Sequence, residues 1–286
     1  MNRKELAQAA AFEALRVRAR IGLALTDPAN PIEIAEKLGI EVWFQRLASA
    51  EGLLIRAPHP VILLSSARPS GRIAFTCAHE LAHYCFRHLG HIDVQNGEAV
   101  LQEDSDDEYQ ANTFAAYLLM PKTAVQFAFA QRNSKPDAAS PLTLLSISHW
   151  LGVGYSTLVN HLQYTLGLIS GERARVLLRQ SPKEIIGDLA GERSAGTSVF
   201  IVDRMWRSRP VDLEVGDRIL VDAPISISGQ SVQSEGLRGE KIIVAALRPG
   251  TGHLDGGQGW ACYVRVRRSR FEGRSIFRHM EEINDA

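Results

Sequence analysis

Cysteine is scarce: Cys77, Cys85 and Cys262 are the only three in 286 residues, too few for a disulfide framework. If Cys77 and Cys85 share one helix they stand about 12 Å apart, beyond the reach of an S–S bond. Such sparing use suits a reducing compartment. Long apolar runs are missing too. The opening MNRKELAQAAAFEALRVRAR begins with basic residues, but Glu13, Arg16, Arg18 and Arg20 interrupt its apolar stretches. It reads as an amphipathic helix rather than a signal peptide. No run elsewhere approaches a membrane span. The expectation is a cytoplasmic protein with no membrane partner. Neither sign of charge is in excess, since 32 Lys and Arg balance 32 Asp and Glu. Net charge therefore points to no nucleic-acid partner; only a local patch could.

What is present is a globular composition, 45% hydrophobic and 22% charged, in a chain that can bury a substantial core. A first helix is expected from about Arg3 to Leu25. A second lies in PIEIAEKLG, with Pro31 near its start and Gly39 at its end. Three β-rich runs follow, Ile40 to Arg46, Gly52 to Arg56 and Val61 to Ser65. Arg72 to His88 then favours a helix, closed by Gly90. After the acidic GEAVLQEDSDDE comes YQANTFAAYLLMP, a helix stopped by Pro121. PLTLLSISHWLGVGYSTLVNHLQYTLGLIS reads as helix, short turn at Gly152 to Gly154, and helix. Residues 181–196, rich in Gly, Ser and charge, suit a linker. Beyond them SVFIVDRMW, RILVDAPISI, KIIVAALR and WACYVRVRRS alternate apolar with polar residues, the pattern of a β-rich domain. The expected fold is α+β. A small β-sheet packs with the helix over 72–88, and a helix-turn-helix-like subdomain and a C-terminal β-rich domain follow.

The helix over 72–88 carries CAHELAHYC. At about 100° per residue His79 and His83 lie roughly 40° apart on one face, so two imidazoles can reach one ion. Glu80 lies about 60° from His83, close enough to face that ion without ligating it. There it can take a proton from a water that the metal has acidified. Chance alone writes this five-residue pattern in roughly two of a hundred such chains, so the string needs support. A zinc site needs a third protein ligand and an open fourth position. His88 falls on the opposite face if the helix continues, and His91 lies beyond Gly90. The longer spacing HExxHxxGxxH is absent, with Phe86 and Leu89 where it requires glycine and histidine. Glu108 is the better candidate. It opens a helix on which Asn112, one turn on, lies on the same face and can accept the outward N–H of a ligand histidine. Asp107 and Glu103 have no such supporter. Cys77 and Cys85 read as small core residues.

The stretches RIAFTCAHELAHYCFRH and DDEYQANTFAAYLLMP, with AEKLGIEV, GLLI and PVILLSS before them, closely resemble the ImmA/IrrE family of metallopeptidases. The resemblance is good over roughly residues 30 to 125 and moderate to about 178. It implies that His79, His83 and Glu108 hold Zn2+ and that Glu80 is the catalytic base, with Asn112 in support. Ala82 stands where the family commonly has Gly, which favours the helix by about 1 kcal/mol. The resemblance further implies a regulatory endopeptidase whose substrate is a specific intracellular protein such as a helix-turn-helix repressor. The expected division is a zinc metallopeptidase domain over 1–132, the helix-turn-helix-like piece over 133–180, the linker over 181–196 and the β-rich domain over 197–286.

Oxyanion stabilisation falls to one of Tyr84, Tyr109, Tyr117, His149 or His161, among which the sequence does not choose. A rival reading is a DNA-binding transcriptional regulator with a vestigial peptidase domain. Ser156, Thr157, Asn160 and His161 would then open a recognition helix. That helix has no Lys or Arg from Trp150 to Gly171, a poor footprint for phosphates. YVRVRRSRFEGRSIFR interleaves six arginines with aromatics. Alternate arginines on a strand are more often its solvated face than a nucleic-acid surface.

Overall fold

A computed structural model describes residues 2–48, 50–56, 58–88, 94–95, 98–99, 105–190 and 198–280. The chain divides into two compact units, residues 1–128 with 151–153, and residues 129–150 with 154–286.

In the first unit, α1 (Arg3–Arg20) starts at Asn2, whose side chain accepts the Glu5 amide while Glu5 reaches back to the Asn2 amide. This reciprocal cap satisfies two donors that the first turn leaves open. The helix ends at Arg20, short of the expected Leu25, because Gly22 turns the chain at φ 72°. Arg18 is fully buried. Its guanidinium donates to the carbonyls of Leu118 (2.7 Å), Ala24 (2.6 Å) and Asp27, tying the end of α1 to the turn after it and to the segment around Leu118. Asn30 caps α2 (Pro31–Lys37). Three strands follow close to their expected bounds: β1 (Glu41–Gln45), β2 (Gly52–Ile55) and β3 (Val61–Ser65). β1 runs parallel to β3 and β2 antiparallel to it, so β3 is central and β2 flanks it. Ile62 and Leu64 are fully buried, as central-strand positions should be.

The helix α3 (Ser70–Phe86) turns Ile73, Cys77, Ala78, Leu81 and Ala82 into the core. β4 (Val94–Gln95) and β5 (Glu98–Ala99) form a two-stranded ladder. α4 (Asp106–Leu119) packs against both α1 and α3, burying Ala111, Phe114, Ala115 and Leu118. α5 spans Lys122–Ala130.

In the second unit, α6 (Pro141–Leu151) and α7 (Tyr155–Asn160) are joined by the expected turn, where Gly152 stands at φ 71° and the axis bends by 102°. That angle lies in the helix-turn-helix range. α7 passes into a π-helical stretch at His161–Thr165. α8 (Gly171–Leu177) follows. Residues expected as linker include α9 (Pro182–Ala190), opened by Ser181 and Glu184 exchanging cap bonds. The described residues of the β-rich part hold nine strands, of which the last, β14 (Gly273–Arg274), has two residues; the other eight are β6 (Val199–Val202), β7 (Pro210–Glu214), β8 (Arg218–Asp222), β9 (Ser226–Ser228), β10 (Val232–Arg238), β11 (Lys241–Ala246), β12 (Gly250–Gly257) and β13 (Trp260–Arg267). They make two four-stranded sheets, ordered β10-β11-β8-β6 and β7-β13-β12-β9. The fold is α+β. Among the described residues no single helix is long and apolar enough to cross a membrane, and the three cysteines are free.

Candidate metal centre

Helical spacing brings His79 and His83 together on α3, with Nε2 atoms 3.0 Å apart and ring centroids 4.7 Å apart. α4 supplies the third group. Glu108 Oε2 lies 3.1 Å from His79 Nε2 and Oε1 lies 3.3 Å from His83 Nε2. The local sequence explains why the glutamate sits there. Ser105 is the N-cap of α4, and its Oγ accepts the Glu108 amide at 3.1 Å. Asp106, Asp107 and Glu108 fill the first turn, where the helix end favours anions.

Asn112, one turn on, sets its Oδ1 3.0 Å from His79 Nδ1. An amide oxygen only accepts, so the Nδ1 proton belongs to that bond and Nε2 is left for the centre. Burial pulls the His79 pKa down, but the Glu108 hydrogen bond, the Glu80 and Glu108 charges and Asn112 outweigh it, and the net direction is up. Hydrogen bonds from His79 and His83 hold the Glu108 carboxyl far below the usual carboxylate range.

Among the described residues, His79, His83 and Glu108 are the group that could hold a metal ion. Their donor set, two imidazoles and one carboxylate, leaves one tetrahedral position open, the pattern of catalytic zinc sites. With bonds of about 2.0–2.1 Å, a tetrahedral centre spaces its donors by about 3.3 Å. The two imidazole nitrogens, 3.0 Å apart, are close to that spacing, and each has one oxygen of the Glu108 carboxylate at 3.1 or 3.3 Å, so the group is of a size to hold an ion.

Glu80 follows His79 on α3 and packs against β2. Burial pushes its carboxyl above the usual range; His79, His83 and a hydrogen bond from the Leu54 backbone draw it back, and Glu108 adds to the rise. A carboxyl raised in this way is better matched to accepting and returning a proton near neutral pH. Space for it depends on Gly52. A Cβ there would lie 2.5 Å from Thr76 Cγ2, 3.2 Å from Glu80 Cγ and 3.3 Å from Glu80 Oε1. In the sequence Gly52 reads only as the start of a strand.

His88 is not where helical extrapolation put it. α3 stops at Phe86, and Arg87 adopts a left-handed conformation at φ 57°. The turn brings His88 back beside His83, with their Nδ1 atoms 3.0 Å apart. Its Nε2 lies 3.0 Å from Gln110 Oε1 and 3.5 Å from Asp107 Oδ1. Asp107 thus faces His88, not the imidazole pair. His91 and Glu103 lie outside the described residues. No residue type announces a left-handed arginine, so the sequence carried no signal for this contact.

Of the candidate oxyanion donors, Tyr109 lies under Arg3, whose guanidinium carbon is 5.2 Å from the ring centroid. His161 is buried and His149 half-buried within the second unit. The Nδ1 of His149 accepts the Ile201 amide at 3.0 Å. His161 is therefore not available to read a base edge, and only Ser156 and Asn160 of that set are exposed. Two arginines of the run, Arg265 and Arg267, are paired with acids. β7 lies parallel to β13, pairing Asp212 with Arg265 and Glu214 with Arg267 in register. Arg265 makes a two-pronged contact to Asp212 at 2.5 and 2.8 Å, and Arg267 donates to Glu214.

Residues 35–163 match the peptidase M78 family, described as the IrrE N-terminal-like domain. No curated protein matches. Among solved structures, a Mycobacterium tuberculosis transcriptional regulator is similar at 18% identity and TM-score 0.37, over 56% of this chain and 47% of that one. This chain thus spans about half the length of that relative. The cysteine protease inhibitor EhICP2 from Entamoeba histolytica is similar at 12% identity and TM-score 0.21, over 26% of this chain and all of that one.

Proposed function

We propose, from the match of residues 35–163 to the IrrE N-terminal-like domain of the M78 peptidase family, that the chain is a zinc-dependent endopeptidase of the cytoplasm. The observation that carries the reading is the convergence of His79, His83 and Glu108, with the raised carboxyl of Glu80 beside them.

His79, His83 and Glu108 would hold the ion, and Asn112 would fix the tautomer of His79. Zinc in such a site supplies Lewis acidity, bringing the pKa of a water toward about 7 and polarising a carbonyl. Glu80 takes the proton of the attacking water and returns it to the leaving amine. The ligand helices α3 and α4 pack against each other, and Arg18 anchors the end of α4 to α1, so the groups are held before substrate arrives. The substrate is a specific intracellular protein, of which a helix-turn-helix repressor is the kind the family resemblance favours. The rival reading as a DNA-binding regulator is weakened by a recognition helix without basic residues and by arginines engaged with Asp212 and Glu214.

The purified chain should hold about one zinc ion. Glu80→Gln should keep that ion and stop cleavage of the repressor encoded nearest to this chain when the two are co-expressed. Unchanged cleavage by Glu80→Gln would remove the peptidase assignment.

A further inference from the structure

His83 Nε2 faces His79 and Glu108, which leaves Nδ1 as its outward nitrogen, 3.0 Å from His88 Nδ1. Two ring nitrogens at that distance share one proton. A ligand imidazole needs its Nε2 lone pair, so the proton sits on His83 Nδ1 and His88 Nδ1 accepts it. A neutral His88 then carries its own proton on Nε2. The two groups facing that nitrogen are oxygen acceptors, Gln110 Oε1 at 3.0 Å and Asp107 Oδ1 at 3.5 Å. One assignment of protons satisfies every contact along His83, His88 and Gln110.

The arrangement is braced from the main chain as well. Arg56 Nη2 donates to the carbonyls of both His83, at 2.5 Å, and His88, at 2.9 Å. One guanidinium thereby fixes the spacing of the two residues whose rings meet. Phe86 stacks on His88, with ring centroids 5.5 Å apart and planes 14° from parallel. The ring is also buried, at 9% exposure.

We propose that His88 is the positioning residue for His83, holding its ring and tautomer so that Nε2 is presented to the metal. This rests on the metal-site reading above. Each candidate ligand ring then has its own outward acceptor, the Asn112 amide for His79 and a neutral imidazole for His83. Gln110, one turn from Asp106 on α4, is the far end of the relay, so the helix that brings Glu108 also orients His83 from behind.

The test uses the full chain and zinc itself. His88→Phe and His88→Leu keep an apolar side chain in the pocket without an acceptor, and His88→Asn restores an acceptor. Zinc affinity is read by competition with a chromophoric chelator, and ligand geometry by the visible spectrum of the cobalt-substituted protein. Whichever of the Phe and Leu variants folds, as judged by the melt of the metal-free chain, should bind zinc 10–100-fold more weakly with an altered cobalt spectrum. His88→Asn should recover most of that loss. Wild-type affinity and an unchanged spectrum in the acceptor-less variants would overturn the inference while leaving the metal site intact. A wild-type chain that binds no zinc would overturn the metal site, and this inference with it.

Discussion

Asn112 stands behind His79 where a carboxylate often stands behind a ligand histidine. A neutral amide oxygen accepts the same proton but adds less to the basicity of the ring. Asn112→Leu should therefore weaken zinc binding by roughly 10–100-fold, and Asn112→Asp should restore it to at least the wild-type level, both measured by chelator competition. A second prediction belongs to His149, whose pKa burial lowers from 6.5 to about 4. Between those values the unfolded chain binds the extra proton and the folded one does not. Its contribution is thus intact above pH 6.5 and lost as pH falls toward 4, on the order of 2 kcal/mol by pH 5. Asp217 runs the other way, raised by burial to about 6, so its contribution is present below 3.8 and lost as pH rises through 6. His149→Asn keeps an acceptor for the Ile201 amide and cannot titrate. Urea unfolding at pH 7 and pH 5 should show a smaller acid loss for this variant than for the wild type.

The strand β2 shows how an element can be necessary for a site to which it gives no functional side chain. Gly52→Ala sets a Cβ against Thr76 and Glu80 at 2.5–3.3 Å, and relieving such crowding typically costs about 1–3 kcal/mol. The expected result is a normal zinc content with a reduced turnover number, since His79, His83 and Glu108 are untouched while Glu80 is displaced. A variant that loses zinc instead would mean that the strand supports the ligands, not the base. The elements of the first unit were readable because their signals are local. His79 and His83 sit four apart on a helix, Glu108 and Asn112 repeat that spacing, and Pro31, Gly39 and Pro121 mark helix ends. His88 was not readable, because its place depends on one left-handed arginine. In residues 181–190 the cap signal was present as Ser181 and Glu184, but the glycine and charge that surround it obscured the helix.

Beyond its helix-turn-helix-like piece, the second unit was legible only as β-rich. Its strands β6, β8 and β11 are short apolar runs, and β13 alternates. β12, GTGHLDGG, has glycine where alternation would show a side chain, and at Gly252 a Cβ would come within 2.4 Å of Val232 Cγ2. Close packing selects glycine there and erases the pattern. The pairing of Arg265 and Arg267 with acids more than fifty residues earlier is likewise invisible until the strands are in register. Those two pairings, with the absence of Lys and Arg from Trp150 to Gly171, set the expectation for nucleic acid. In titrations at 50 and 200 mM salt, the chain should show no more than the weak, sequence-independent affinity of about 10⁻⁴–10⁻⁶ M. A specific complex with a steep salt slope would restore the regulator reading.

Five consecutive residues, Gly52 to Arg56, touch both sides of the chemistry. Gly52 and the Leu54 backbone meet Glu80, while Arg56 grips the carbonyls of His83 and His88. The proposed proton acceptor and the candidate metal cradle are therefore gauged against one short ruler. A one-residue insertion or deletion within it would throw both out of alignment together, even with every ligand still in the chain.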